Sequence, residues 1–301
     1  MSDSALLLGN STSFGFGDVV GEAFSGDFDY HKARAWAGFN FLNTVGLSAA
    51  YLGTIFSVAF FMKQRKAFDL QRPLATWNFA QSLFSFLVVY NTLPAAYESF
   101  TRDGIRGVQC DKSCLQGTVG AWHFAFLISK VFDLIDTAFI VLRKKPLIFL
   151  HYYHHVITMT MGFYGYWRGW PGQFITEING SIHTIMYFYY CVRALNVKVP
   201  GWVAKSITKI QIIQFVIGSA AGLHYTYELL TGDGDCINAS IPEFALLWVL
   251  DIAFLYLFVD FFRQAYVVDG GRAKYRDAPK TVRVPEHESL QEEETAKEKA
   301  E

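Results

Sequence analysis

Residues 147–167, LIFLHYYHHVITMTMGFYGYW, are long enough and apolar enough to cross a bilayer, yet they carry three histidines. His151, His154 and His155 have the spacing i, i+3 and i+4, which places their side chains on one face of a helix. Ionisable side chains are costly inside a bilayer, so their presence there usually marks a functional site. The stretch therefore predicts a membrane helix that carries a reactive centre.

The composition of the whole chain agrees with a membrane protein. Of its 301 residues, 52% are hydrophobic and only 18% are charged, whereas a soluble domain usually has about 25% charged residues. The formal net charge of -1 gives no indication of nucleic-acid binding. Seven stretches have the length and composition of a membrane span, and they cover residues 36–61, 74–94, 119–142, 147–167, 173–194, 203–228 and 243–266. We therefore expect an all-α membrane protein with seven transmembrane helices.

Basic residues are concentrated in the loops on one side of this seven-span arrangement. Lys144, Lys145 and Arg193 lie on that side, together with the loop 63–72 and the C-terminal tail. The positive-inside rule assigns this side to the cytosol and the N-terminus to the lumen. The expected organisation is a lumenal N-terminal segment, a seven-helix domain and a disordered cytosolic tail, over residues 1–34, 35–267 and 268–301.

Short motifs in the loops and the tail fit the same topology. Asn10 and Asn238 begin glycosylation acceptor triplets on the predicted lumenal side. Cys110 and Cys236 are also predicted to be lumenal, where we expect a disulfide between them, with free thiols as the alternative. The last five residues, KEKAE at 297–301, fit a Lys-x-Lys-x-x retrieval tail of the endoplasmic reticulum.

Polar residues in four of the predicted spans share one depth in the membrane. With a helix rise of about 1.5 Å per residue, they lie about 9–15 Å from the cytosolic loops. The residues at this depth are His151, His154, His155, Asp133, Asp136, His183, Gln211 and Gln214. This coincidence predicts a polar site in the cytosolic half of the membrane, with interhelical hydrogen bonding as the alternative interpretation.

The residue types at this depth favour covalent or acid–base chemistry. A histidine can act as a nucleophile while Asp133 or Asp136 orients its ring and fixes its tautomer. The amides of Asn179, Gln211 and Gln214 can donate hydrogen bonds to a developing oxyanion.

Three other functions remain open at this point. Imidazole and carboxylate groups also suit a divalent metal such as a single zinc. Membrane di-iron desaturases and hydroxylases use His-x-x-His-His boxes, but they need several of them, and this chain has one box among its eight histidines. Seven spans alone would also be compatible with a receptor or transporter. We expect no metal.

Four motifs, in order, resemble the ELO family of fatty acid elongases. They are KVFDLIDT at 130–137, RKKPLIFLHYYHH at 143–155, NGSIHTIMYFYY at 179–190 and TKIQIIQF at 208–215. The resemblance covers residues 35–267. It implies a membrane 3-oxoacyl-CoA synthase of the endoplasmic reticulum, with six of seven helices enclosing an acyl tunnel. Such an enzyme condenses a long-chain acyl-CoA with malonyl-CoA and releases CoA and carbon dioxide, and saturated or monounsaturated chains are favoured here.

The resemblance also implies roles for individual residues. His154 would accept the acyl group, with the other box histidines and His183 assisting decarboxylation or proton transfer. The family usually has Glu at the position of Asp133, which shortens the reach of this carboxylate. The expected substrate-binding residues are Lys130, Asn179, Tyr187, Gln211, Gln214, Lys144, Lys145 and Arg193, of which the last three are candidates for the CoA phosphates.

The resemblance further implies partners for the chain. No cofactor is expected beyond the two CoA substrates. Membrane lipid surrounds the chain, and the reductases and dehydratase of the elongation cycle, or a second copy of the chain in a homodimer, are the expected protein partners.

Overall fold

The computed structural model of the chain describes residues 17, 21, 26–170, 172–231 and 240–268. The chain divides into two compact units, Met1–Asp260 and Phe261–Glu301. In the described part of the second unit, the rings of Phe262 and Tyr266 have centroids 5.3 Å apart. The geometry that follows belongs to the first unit.

Every regular element in the described residues is helical, so the all-α prediction is confirmed for them. A short 3-10 helix, Ser113–Leu115, precedes the fourth α-helix. The α-helices are α1 (Tyr30–Phe39), α2 (Phe41–Met62), α3 (Gln71–Cys110), α4 (Gly117–Phe132), α5 (Ile135–Leu142), α6 (Phe149–Arg168), α7 (Gln173–Ala194), α8 (Gly201–Thr231) and α9 (Ile241–Tyr266).

Three of these helices, α2, α8 and α9, are long and apolar enough to cross a membrane. Large apolar side chains are exposed on them, for example Phe60, Leu223 and Val249. An outward-facing apolar surface of this kind suits lipid rather than water. The chain is therefore a membrane protein, while crossing by the other predicted spans stays a prediction.

Hydrogen bonding divides two of the predicted spans into pairs of helices. In the span 36–61, α1 ends at Asn40, where the backbone leaves the helical region with a φ of -90° and a ψ of 1°. The Asn40 side-chain Nδ2 donates to the Trp36 carbonyl at 2.9 Å, in competition with the regular backbone bond to the same oxygen at 3.0 Å. In the span 119–142, the backbone N–H of Asp136 donates to the Asp133 carbonyl at 3.1 Å, which is an i to i+3 bond. This tighter turn separates α4 from α5.

Helix α3 continues well beyond the predicted span 74–94 and contains a break. Gly104 has a φ of 64°, in the region that favours glycine, so the axis changes direction there. Ser99 and Arg102, on the preceding turns, both donate to the carboxylate of Asp111 just after the helix. Burial raises the pKa of that carboxyl, but hydrogen bonds from Ser113, Ser99 and Arg102 outweigh it and hold the pKa well below its ordinary range.

The cysteines fall into two groups. Cys110 is disulfide-bonded, and Cys114 and Cys191 are buried free thiols. Cys236 lies outside the described residues, so the predicted pairing stays a prediction. Asn10, Asn238 and the tail from residue 269 onward also lie outside the described residues.

The C-terminal end of α6, the helix that carries the histidine box, is held by its neighbours. Arg34 of α1 donates from Nε to the Trp167 carbonyl at 2.6 Å and from Nη2 to the Arg168 carbonyl at 3.3 Å. Gly169 follows with a φ of 74° and ends the helix in the left-handed conformation. A cation at this end also faces the negative end of the helix dipole.

A carboxylate of α9 holds the same end of α6 from another direction. Glu243 Oε1 accepts hydrogen bonds from the Tyr164 hydroxyl and from Arg168 Nε, both at 2.6 Å. The position of α6 is therefore fixed by charged hydrogen bonds to α1 and to α9.

We predict that Arg34→Met destabilises the protein, because the last carbonyls of α6 lose their charged donor. The expected loss is about 2 kcal/mol, the usual value for a hydrogen bond to a charged group. Thermal unfolding of the detergent-solubilised protein measures it as a lower Tm. Arg65→Met, which changes an exposed arginine, is the matched control, and an equal Tm for both variants would contradict the capping role.

Candidate active site

Asp133 forms a buried ion pair at the end of α4. Its Oδ2 lies 2.9 Å from Lys130 Nζ, and its Oδ1 accepts a hydrogen bond from Gln81 Nε2 of α3 at 2.7 Å. Asp133 is 2% exposed and Lys130 is 7% exposed. The ammonium of Lys130 also lies 4.2 Å from the centre of the Phe126 ring. A buried pair of charges is tolerated only when its atoms are engaged in this way.

Asp136, in the first turn of α5, joins two further helices. Its Oδ1 accepts from Trp77 Nε1 of α3 at 2.6 Å, and its Oδ2 accepts from the Tyr187 hydroxyl of α7 at 2.7 Å. Charge-assisted hydrogen bonds of this length are among the stronger ones in proteins. Asp136 therefore fixes the relative positions of α3, α5 and α7.

The histidine box is joined to α5 and α2 by hydroxyl groups. His151 Nε2 lies 2.9 Å from Thr137 Oγ1, and the Tyr51 hydroxyl lies 2.6 Å from the same oxygen. The ring centroids of His151 and His155 are 4.4 Å apart, and those of His154 and His155 are 5.5 Å apart. The three imidazoles thus form one cluster, as their spacing requires.

The two aspartates that are predicted to orient a histidine ring make their direct hydrogen bonds to other residues. Among the described residues, neither Asp133 nor Asp136 hydrogen-bonds to a histidine, because their oxygens accept from α3, α4 and α7 instead. His151 Nε2 instead lies 2.9 Å from the hydroxyl oxygen of Thr137, a neutral residue. Participation of the two aspartates in catalysis stays a prediction.

An apolar cavity of about 400 Å³ begins at this cluster and extends toward the far end of α6. Of the box histidines, His154 alone is among the residues that line it. The centroids of the His154 and Phe254 rings are 5.5 Å apart. Lys130, Asn179 and Gln214 line the cavity as well. The cavity thus brings one imidazole, one ammonium and two amides to an apolar space.

The two amides that line the cavity are bonded to each other. Asn179 Nδ2 donates to Gln214 Oε1 at 3.1 Å. Gln211 does not line the cavity, and its Nε2 lies 3.3 Å from the sulfur of Met186. His183 is buried behind this wall, with its ring 5.3 Å from that of Tyr187.

The three basic candidates for CoA phosphates lie outside the cavity lining. Lys144 Nζ donates to the carbonyls of Lys63 and Arg65, at 3.2 and 3.0 Å, so it holds the loop after α2. Lys145 and Arg193 are exposed, and Arg193 Nη1 lies 3.4 Å from the Val197 carbonyl. Contact with CoA stays a prediction for all three.

The described residues contain no group of three or more His, Cys, Asp and Glu side chains arranged to hold a metal ion. The box histidines lie close together, but their carboxylate neighbours are occupied by Gln81, Lys130, Trp77 and Tyr187. This arrangement offers no support for the di-iron or zinc alternatives. The absence of a cofactor stays a prediction.

Two residues of the site on α3, Trp77 and Gln81, were not predicted from the sequence. Counting from Arg72, they lie about 8 and 14 Å along the helix, which is the depth of the other polar residues. The same count, applied to the span 74–94, would have found them. The sequence does not indicate that Tyr51 belongs to the site, because an aromatic residue in an apolar span usually packs against its neighbours.

The fold and the site together define a class of protein. The chain is an all-helical membrane protein whose histidine cluster opens into an elongated apolar cavity between helices. Polar groups held at the end of an apolar cavity are typical of a binding or catalytic site for a ligand that is mostly apolar. These features define a candidate membrane enzyme for a lipid-like substrate.

Comparison with known proteins specifies this class further. The ELO: GNS1/SUR4 family matches residues 36–274, and the chain therefore belongs to the ELO family. It is 36% identical over 257 residues to Long chain fatty acid elongase 1 of Caenorhabditis elegans, covering 84% of this chain and 88% of that protein. It is also 36% identical over 217 residues to Very long chain fatty acid elongase 3 of Homo sapiens, covering 71% and 79% of the two chains.

A third relative has a higher identity over a shorter alignment. Long chain fatty acid elongase 2 of Caenorhabditis elegans is 39% identical over 231 residues, covering 72% of this chain and 80% of that protein. All three alignments cover more than two thirds of each partner.

We predict that Lys130→Met and Asp133→Asn each destabilise the protein by about 3 kcal/mol, because each leaves one charge or polar group buried without its partner. The double variant should recover part of this loss, since it removes both charges. Chemical unfolding of the four proteins measures the coupling. If the two losses simply add, the ion pair does not stabilise the site in this way.

Proposed function

We propose that this chain condenses a long-chain acyl-CoA with malonyl-CoA to give a 3-oxoacyl-CoA, CoA and carbon dioxide. Membership of the ELO family and relatives named fatty acid elongases support a condensing enzyme of the acyltransferase type. Acyl-CoA is thus the expected substrate class, in a membrane setting. Saturated or monounsaturated chains remain our expectation for the acyl group.

The observation that carries the proposed mechanism is the position of His154 on the cavity wall. In the first step, a ring nitrogen of His154 attacks the thioester carbonyl, and the C–S bond breaks to release CoA thiolate. Loss of carbon dioxide from malonyl-CoA then leaves an enolate. Its carbon attacks the acyl-histidine, the new C–C bond forms, and the electron pair of the broken C–N bond returns to the imidazole.

The remaining groups of the site support these steps in the proposal. His151, His155 and His183 move protons, including the one that the CoA thiolate takes up. Asn179 and Gln214 line the same cavity and can donate to the oxygen of the tetrahedral intermediate. The second amide hydrogen of a side chain remains available when the first is bonded.

The cavity is the proposed acyl site. From His154 to Tyr166 it follows twelve residues of α6, a distance of about 18 Å. Its walls are mainly apolar, with Phe126, Leu127 and Ile157 among them, which suits an extended hydrocarbon chain. In this proposal the site belongs to a seven-span bundle in which six helices enclose the acyl tunnel, with CoA entering from the cytosol.

The cellular setting is part of the proposal. We place the chain in the endoplasmic reticulum membrane, with a lumenal N-terminus and a cytosolic C-terminus. Working partners would be the reductases and dehydratase that process a 3-oxoacyl-CoA, and a second copy of the chain. The three apolar helices support the membrane setting.

We predict that His154→Ala abolishes incorporation of labelled malonyl-CoA into longer acyl-CoAs, because no other residue accepts the acyl group. The loss is measured as incorporation of labelled malonyl-CoA by microsomes that contain the variant. Mass spectrometry of the wild type with acyl-CoA alone should show one acyl adduct on His154. His31→Ala, which changes an exposed histidine at the start of α1, is the control and should retain activity.

Retained activity in His154→Ala would contradict the nucleophile assignment. A product that requires oxygen and iron, with no malonyl incorporation, would contradict the elongase function and favour a desaturase.

We predict that a double change, Lys297→Ser with Lys299→Ser, moves the protein out of the endoplasmic reticulum, because both lysines of the retrieval tail are lost. Immunofluorescence against the untagged chain measures the location. Glu298→Gln keeps both lysines and should leave the location unchanged. If the double variant stays in place, the tail is not the retrieval signal.

A further inference from the structure

The cavity ends in polar groups that the elongation mechanism does not use. At the end away from His154, the lining includes His123, Tyr166 and Trp170. Within the described part of the chain, His123 Nδ1, the Tyr166 hydroxyl and Trp170 Nε1 are buried and have no hydrogen-bond partner. Buried polar atoms are nearly always paired, so three such atoms on residues that line one cavity require an explanation.

A buried carboxyl group stands behind His123. Glu177 Oε1 lies 3.7 Å from His123 Nε2, and both residues are less than a tenth exposed. Neither oxygen of Glu177 receives a hydrogen bond of good geometry from another described residue. Thr92 faces the carboxyl group but donates its hydroxyl proton to the Val88 carbonyl at 3.0 Å. Glu177 is thus placed to orient the imidazole of His123.

These polar groups lie well away from the reacting carbon. His123 is seven residues from Lys130 along α4, and Tyr166 is twelve residues from His154 along α6. The corresponding distances are about 10 and 18 Å. An acyl chain attached at His154 would therefore bring the distal part of its hydrocarbon to this end of the cavity.

A purely hydrocarbon tail does not match this end. It offers no partner to the three buried polar atoms, so they would stay unpaired in the complex, which costs free energy relative to a ligand that pairs with them. A hydroxyl group offers one donor and two acceptor positions. It can donate to His123 Nδ1 when Nε2–H faces Glu177, and it can accept from Trp170 Nε1–H or the Tyr166 O–H. A carboxylate tail would have to give up its hydration in this apolar setting, which costs more free energy than burying a hydroxyl group.

We propose that the end of the cavity formed by His123, Tyr166 and Trp170 is a subsite for a hydroxyl group on the distal part of the acyl chain. The substrate class is thus a hydroxylated long-chain acyl-CoA, elongated at its carboxyl end while the hydroxyl is held at the far end. This inference rests on the proposed elongase function. The carbon–carbon bond formation itself is the same as for an unsubstituted chain.

The test compares pairs of acyl-CoAs of equal chain length, with and without a terminal hydroxyl, in labelled malonyl-CoA assays on full-length protein. We expect the ratio of kcat/KM values to favour the hydroxylated chain by about tenfold, which is the effect of one satisfied hydrogen bond. The preference should peak at one chain length, because the distance from His154 is fixed. Trp170→Phe and Tyr166→Phe should each lower this peak severalfold.

Tyr164→Phe is the matched control. It makes the same change two residues earlier, on a hydroxyl that already donates to Glu243 and does not line the cavity. Its ratio should equal that of the wild type, even if the protein is less stable. A fall in the ratio equal to that of Tyr166→Phe would contradict a specific subsite.

Two further outcomes separate this inference from the function on which it rests. If unsubstituted chains are elongated and the ratio stays near one at every length, the subsite is wrong and the elongase function stands. If neither kind of acyl-CoA is elongated, the elongase function is wrong, and the proposed subsite is wrong as well because it depends on that function.

Discussion

The structure depends on one constraint, which is that polar groups inside an apolar bundle must find partners within the bundle. Asp133 meets it with Lys130 and Gln81, and Asp136 meets it with Trp77 and Tyr187. Because each carboxylate binds groups on other elements, satisfying it also fixes how α3, α5 and α7 pack. The carboxylate oxygens near the histidines of α6 already accept hydrogen bonds from other residues. The His154 imidazole faces the cavity, where it can contact a substrate.

Helix positions were largely predictable, because a long apolar stretch predicts a helix and a residue such as glycine at its end predicts where the helix stops. The span 147–167 agrees with α6 (Phe149–Arg168), which stops at the left-handed Gly169. The two breaks, at Asn40 and after Asp133, were not predictable from apolar content, since the apolar stretch continues across both. They arise from hydrogen bonds that compete with the regular helical pattern, and a composition window does not contain that information.

The sequence predicted most of the residues in the candidate site, but it predicted few of the contacts between them. Counting residues from the basic loops places the histidines, aspartates and amides at one depth, but depth does not give the rotation of each helix about its axis. Thr137, a small neutral residue, lies beside His151, while the two aspartates bind residues of α3, α4 and α7. Likewise, Asn179 and Gln214 share the cavity wall while Gln211, one turn away from Gln214, contacts Met186.

The cap that Arg34 places on α6 bears on how sequence variation in this protein should be interpreted. The match to the ELO family begins at residue 36, two positions after this arginine. Because position 34 lies outside the family match, that match alone would suggest that its residue can vary without consequence. In the structure its guanidinium binds the last carbonyls of the helix that carries the histidine box. A variant there would thus present as a folding defect without altering any residue of the reactive centre.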